Sequence, residues 1–287
     1  MAKLQSEANA DVLIAEPVGS CTDLSATIVQ PLKDKGHADW TVSPLSVLVD
    51  PMKLADILAG GVSGLHPSAA YIFRKQLEEA DFIVVAKADL VSGPALDRLV
   101  AQTSQHYPLA NVVALSSQSG DGVEAWLDAV LESTESGGHL AEVDYDIYAE
   151  GEAVLGWLNA TYRLQGPFTD WDEFAGRFLV ALGGRFDALG ASVGHVKVLI
   201  EAGGDFVVGN LTGKVETLRV RGAGKGGSHA RMTLNARVEM SPETLEAIVA
   251  GELAKLDGFT VTTLASRCLS PGRPEPTYRY THLVGVQ

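Results

Sequence analysis

Up to about residue 135 the chain repeats one unit. A short run of consecutive apolar residues stops at a polar or charged residue, a turn follows, and then comes a segment of helical period. The runs are Asp11-Val-Leu-Ile-Ala15, closed by Glu16; Pro44-Leu-Ser-Val-Leu-Val49, closed by Asp50; Phe82-Ile-Val-Val-Ala86, followed by Lys87 and Asp89; and Asn111-Val-Val-Ala-Leu115, followed by Ser116 and Ser117. Such runs are too short for helices and apolar at successive positions, so both faces of each strand are buried. Between them, Ser20 to Gly36 (with Thr22 or Asp23 as N-cap), Met52 to Ala59, Pro67 to Ala80, Pro94 to Gln105 and Gly122 to Leu131 read as helices, with a loop at Gly60 to Gly64. Strands buried on both faces and alternating with helices imply an α/β domain with a mostly parallel sheet. In such sheets ligands sit at the carboxyl ends of the strands.

Past a Ser/Gly-rich stretch, Glu132 to His139, which reads as a linker, the pattern changes. The expected division is therefore 1–135 and 140–287. Tyr145 to Tyr162 and Trp171 to Leu189 read as helices. His195 to Glu201 and Phe206 to Leu211 flank Ala-Gly-Gly-Asp, a hairpin signature. Ala230 to Met240 alternates as a strand, Ser241-Pro-Glu-Thr opens a capped helix to Leu256, and Thr260 to Ser266 is β-branched. That order predicts a smaller α+β domain of ferredoxin-like type. Trp157, Tyr162, Phe168 and Trp171 are expected to pack a hinge and this domain's core, and Asp144, Asp146, Glu150 and Glu152 to be solvated charges opening a helix.

The 287 residues carry a formal net charge of -14, which repels phosphate backbones and anionic lipid, so neither nucleic acid nor membrane is an expected partner. No run approaches a membrane span and the opening residues lack a signal-peptide core; the expected location is cytoplasmic. Cys21 and Cys268 form no metal knuckle, and the seven histidines, His37, His66, His106, His139, His195, His229 and His282, are scattered without ligand spacing.

The strand ends suit a guanine base. A carboxylate such as Asp89 accepts from both N1 and N2 of guanine, a lysine stem such as that of Lys87 covers the ring, and a backbone N-H in the Ser116-Ser117 turn meets O6. Adenine lacks that donor pair.

Glu16-Pro-Val-Gly19, Val84-Val-Ala-Lys-Ala-Asp-Leu90 and Leu115-Ser-Ser-Gln-Ser-Gly-Asp-Gly-Val123 resemble, in this order, motifs of the CobW/HypB/UreG family of GTPases, and the CobW-like branch in particular. The resemblance spans residues 11–131 and is architectural beyond. It implies an incomplete P-loop NTPase-like sheet followed by the ferredoxin-like domain. Glu16 and Gly19 fall on the third guanine-nucleotide motif, as catalytic organiser and γ-phosphate sensor. Lys87 and Asp89 fall on the fourth, Ser116 and Ser117 on the fifth. GTP and Mg²⁺ are the implied cofactors, zinc or cobalt the implied cargo, and a metalloprotein or metallocofactor client the implied partner. Cys21, inside the switch segment, is the candidate metal ligand.

The sequence departs from the family in three places. No G-x-x-x-x-G-K-S/T loop precedes Glu16, the branch's cysteine-rich motif is absent, and Ala86 stands where the family has Asn. The expectation is a chain lacking the family's N-terminal portion, either a piece of a longer protein or a relative that has lost hydrolysis and acts as a non-catalytic binding or scaffold protein. A sheet without its central strand is expected to re-pair or to associate with a second copy. Arg221-Gly-Ala-Gly-Lys225-Gly-Gly-Ser228 has the wrong spacing for a phosphate loop and reads as a hairpin tip, with Arg219, Arg221 and Arg231 as a small basic contact site.

Overall fold

The computed structural model describes residues 5, 7–36, 39–213, 218–222, 224 and 226–285. They form two compact units, Met1–Tyr148 with Pro274–Gln287, and Ala149–Arg273. His37 and Lys225, weighed above, lie outside the described residues.

The first unit holds a three-stranded parallel sheet in the order β1 (Ser46–Val49), β2 (Phe82–Val85), β3 (Asn111–Ala114). A π-helical turn, Ser25–Val29, runs into α1 (Gln30–Lys35). Helices α2 (Pro51–Leu58), α3 (Pro67–Glu79), α4 (Gly93–His106) and α5 (Val123–Glu132) follow the predicted segments closely. One sheet face, through Val49, Ile83 and Val85, meets Leu54 of α2, Leu77 of α3 and Leu99 of α4. The other, through Phe82, Val84 and Leu115, meets Val123, Trp126 and Val130 of α5. Both faces of β2 are thus sealed, as a run of four apolar residues demands, and each such buried side chain contributes about 1.5–3 kcal/mol.

The strand expected at Asp11 to Ala15 is not formed. Residues 11–18 are irregular and, apart from the half-buried Leu13, exposed, with Ile14 88% accessible. The cause is the lack of a neighbour: an apolar run becomes a strand only when its backbone groups are paired, and the sheet ends at β1. The expected re-pairing within the sheet does not occur. Leu48 of β1, beside Val84 in the register, stays 57% exposed.

The Glu132 to His139 stretch is no free linker. The Asp81 carboxylate accepts from the backbone N-H groups of Gly137 (2.7 Å), Gly138 (2.9 Å) and Leu45 (2.8 Å), and the His139 ring bonds the Ala80 carbonyl (3.0 Å). The last described residues also return to this unit. Tyr280 N donates to Ala26 O (2.9 Å), Val284 N to Gln30 Oε1 (2.7 Å), and the Tyr280 hydroxyl to Asp34.

The expected helix from Tyr145 to Tyr162 ends early. Helix α6 (Tyr145–Ala153) is capped by Asp144 Oδ1, and Gly156 already opens a long strand, β4 (Gly156–Thr169). Along it Leu158, Ala160, Tyr162 and Leu164 are buried while Asn159, Arg163 and Gln165 are exposed, a period of two that no helix satisfies. Phe168, expected in the core, is 81% exposed. Trp157 and Tyr162 consequently sit on a strand, and Tyr162 and Trp171 are in the core.

The second unit continues with α7 (Trp171–Ala188), β5 (Val193–Ala202), β6 (Asp205–Leu211), β7 (Arg219–Gly222), β8 (Gly227–Val238), α8 (Pro242–Ala254) and β9 (Thr260–Leu269). Its six-stranded antiparallel sheet has the order β7-β6-β5-β8-β4-β9. The four strands β5-β8-β4-β9 with α7 and α8 are the predicted ferredoxin-like unit, and β6 with β7 extends it at one edge. Gly203 and Gly204, with φ of 61° and 88°, make the β5-β6 turn, which requires left-handed backbone at both positions. Strand β7 pairs with β6, and β8 with β5 and β4, so β7 and β8 are not neighbours in the sheet and do not form the expected hairpin. Helices α7 and α8 bury one sheet face through Phe174, Phe178, Leu182, Leu245 and Val249.

Candidate functional site

The parallel register brings the ends of β2 and β3 level, since Val85 is opposite Ala114. Lys87, Asp89, Ser116 and Ser117 therefore leave the same edge of the sheet. Lys87 adopts left-handed backbone (φ 55°) and leads into a single 3-10 turn, Ala88–Leu90. Ala88 N donates to Leu115 O (3.1 Å), which ties the two strand ends together.

Ser116 is the pivot. Its side chain is buried; Oγ donates to Asp89 Oδ1 at 2.5 Å and accepts from the backbone N-H groups of Gln118 and Ser119, each at 3.2 Å. The turn closes with Ser116 N on Asp121 O (2.9 Å) and Gly120 N on Ser116 O (2.8 Å). Gly122, which opens α5 with φ 74°, is required there, because a Cβ would lie 2.3 Å from Ala114 O. Asp89 and Ser117 are exposed. One Asp89 oxygen is held by Ser116 and the carboxylate faces solvent, the arrangement a paired donor edge needs.

Lys87 Nζ lies 2.8 Å from Asp50 Oδ2, at the end of β1. Burial alone would raise the Asp50 carboxyl; the Lys87 ammonium and the backbone donors of Lys53 and Met52 outweigh it and hold the group below its ordinary value. Asp50 Oδ1 also caps α2, through Met52 N (3.0 Å) and Lys53 N (3.4 Å). Asp50 was not chosen from the sequence as a site residue, although its place at a strand end was the available signal.

Glu16 and Gly19 are not brought to this edge by any contact among the described residues. Glu16 is exposed in the irregular segment, and the Gly19 carbonyl accepts from Gln76 Nε2 (2.8 Å), as does that of Cys21 (2.8 Å). Among the described residues no group of three His, Cys, Asp or Glu side chains is placed to hold a metal ion. No helix of the described residues is long and apolar enough to cross a membrane.

A second polar cluster was not legible beforehand. Asp23, 1% exposed and in left-handed backbone (φ 64°), accepts through Oδ2 from Arg279 Nε (2.6 Å) and the Tyr145 hydroxyl (2.6 Å). Its Oδ1 has no partner. Beside it the buried Glu79 accepts from Thr22 Oγ1 and Ser25 N, both at 2.9 Å. Burial pushes the Glu79 carboxyl up to about 7, against the pull of those donors and with a push from Asp23.

No family model matches the chain, and no curated protein matches it. Among solved structures it is similar to the Zn(II)-bound YjiA GTPase from E. coli, at 14% identity over 78% of this chain with a TM-score of 0.24. It is similar as well to a Zn(II)-bound triple mutant of YjiA, at 14% identity over 87% of this chain and 74% of that one, with a TM-score of 0.25. This chain spans 66% of the first of these proteins. Superposition at that level carries no inference about chemistry.

Proposed function

We propose that the edge formed by Lys87, Asp89, Ser116 and Ser117 recognises a guanine base, and that this chain is a CobW-like nucleotide-binding protein that does not itself hydrolyse the nucleotide. The observation that carries the reading is the Ser116-anchored Asp89 beside Lys87, on the level ends of two parallel strands. A carboxylate fixed by one hydroxyl keeps lone pairs for the N1 and N2 donors, and the paired arrangement discriminates guanine from adenine by leaving adenine's edge unmatched.

The residues present fit the base and not the phosphates. The sequence holds no G-x-x-x-x-G-K-S/T run, and Glu16, the organiser implied by the resemblance, lies in an exposed segment. No hydrolytic step is therefore derived for these residues. A longer natural chain that supplies a phosphate loop would bind GTP and Mg²⁺ and couple the nucleotide to delivery of zinc or cobalt to a metalloprotein or metallocofactor client in the cytoplasm, with Cys21 as a ligand. That extension rests on the sequence resemblance. The second reading, a non-catalytic binding or scaffold protein, is favoured by the same exposed Glu16.

Calorimetric titration of the full chain with GDP, with ADP as control, tests the proposal. Weak binding of GDP, absence of ADP binding and loss of the GDP signal in Asp89→Asn are the expected results. Equal binding of the two nucleotides, or binding of neither, overturns it.

A further inference from the structure

In the second unit, the sheet face opposite α7 and α8 is lined by side chains that the strand register fixes. One row runs straight across it: Arg219, Asn210, Lys197, Asn235, Asn159, Arg267, one residue from each strand from β7 to β9. Arg221, two residues along β7, points the same way, as does Arg237 on β8. Further along the central pair, Arg163 of β4 stands directly opposite Arg231 of β8. Both are exposed, as are Lys197, Arg219 and Arg267. Among the described residues of the six strands, Glu201 is the carboxylate on this face, and it lies 4.0 Å from Arg231.

This is an unusual surface for a chain of net charge -14. Like charges directly opposite across an antiparallel pair are destabilising by a fraction of a kcal/mol, roughly 0.2–1. The Arg163–Arg231 pairing therefore costs the sheet stability, and Glu201 offsets it from one side only. Asparagines fill the row between the cations, and Asn235 bonds both His195 (2.8 Å) and Asn159, which orders the centre of the row. At the end of β4, the Arg237 guanidinium lies 4.2 Å over the Trp157 ring. Six strands about 4.8 Å apart give a face roughly 24 Å wide, suited to one side of a standard protein interface of about 800 Å².

We propose that this open sheet face is a docking surface for a carboxylate-rich segment of a partner protein. The inference does not rest on nucleotide recognition, which concerns the other unit. Arginines in a fixed array pair with carboxylates in bidentate geometry, and their mutual repulsion is relieved when the partner arrives. A single-stranded nucleic acid fits less well. Sheets that bind it stack bases on exposed aromatic rings of their central strands, whereas here the central positions opposite one another are Thr161 and Thr233, the Trp157 ring is covered by Arg237, and the exposed Phe206 ring on this face lies on β6, outside the central pair.

The test is fluorescence anisotropy on the full chain, using a labelled glutamate-rich peptide and an oligouridine of equal charge. The double variant Arg163→Glu/Arg231→Glu reverses the face, and Arg177→Glu/Arg185→Glu reverses exposed charges on α7 as a control. Circular dichroism checks that both variants fold. The expected result is that the peptide binds at low salt, the face variant weakens binding by about tenfold or more, and the α7 variant changes it by less than about twofold. Several results overturn the proposal: no peptide binding to the unaltered chain, equal loss in both variants, or tighter binding of the oligouridine. Self-association abolished by Arg163→Glu/Arg231→Glu, seen by sedimentation, would give the face to a second copy and overturns it as well.

Discussion

Arg279 and Asp23 are 256 positions apart in sequence, yet Arg279 Nε lies 2.6 Å from Asp23 Oδ2, with the aspartate almost wholly sealed from solvent. The pair anchors the last described residues to the turn that precedes α1. Removing one partner of a buried pair costs more than the pair itself contributes, because the other charge is left without compensation. Arg279→Met is therefore expected to destabilise the first unit by about 2 kcal/mol, less than the roughly 3–5 kcal/mol of a fully buried pair because Arg279 is partly exposed. Urea unfolding followed by the tyrosines of this unit reads the change. A variant as stable as the parent would show that Tyr145 alone satisfies Asp23.

Glu79 gives a pH dependence whose sign is fixed. Its carboxyl titrates near 7 in the folded chain against an ordinary value of 4.5, so the folded state holds the proton more tightly than the unfolded state. Stability from this group is complete below the ordinary value and is lost as pH rises through the interval to about 7. The loss is on the order of 3 kcal/mol. Unfolding midpoints measured across that interval should fall with rising pH in the parent and lose this component in Glu79→Gln. The same slope in both would assign the dependence to other groups.

Ser116→Ala is expected to loosen the turn after β3 without disturbing the core. It leaves the N-H groups of Gln118 and Ser119 without their shared acceptor and frees Asp89, at a cost of about 1–2 kcal/mol. Amide hydrogen exchange should speed up at residues 118 and 119 while β2 amides keep their protection. Unchanged exchange at those two amides would contradict the role given to Ser116 Oγ.

Gly122→Ala places a methyl group against Ala114 O in a backbone conformation that favours glycine. The expected destabilisation is about 2 kcal/mol, the sum of strain and displacement of the strand end. Gly64→Ala, also at positive φ but with open space around it, should cost no more than about 1 kcal/mol. Equal costs at the two positions would mean that the Ala114 carbonyl yields freely.

The parallel sheet and the meeting of Lys87, Asp89 and Ser116 were legible because β2 and β3 are short, sealed on both faces and paired in one register. Their ends had to leave the same edge. Residues 11–16 carry the same apolar signal but have no neighbour to pair with, and pairing is a property of the whole sheet that no local run encodes. In β4 the alternation Leu158, Ala160, Tyr162, Leu164 was available and pointed to a strand; the helical stretch just before it, Tyr145–Ala153, masked the change of period. The Asp23 cluster could not have been found locally, since Arg279 and Tyr145 come from distant parts of the chain. The basic face was visible only as three arginines, Arg219, Arg221 and Arg231, until the register of β4, β5, β8 and β9 added Arg163, Lys197, Arg237 and Arg267.

Because the residues after Arg273 rejoin the first unit, the second unit is an insertion held at both ends, at Ala149 and at Arg273. A chain wired in this way behaves as a closed circuit, in which one cut at either junction leaves a nicked but connected molecule. Two cuts are needed to release the inserted unit, so limited proteolysis should yield a nicked form before any free fragment.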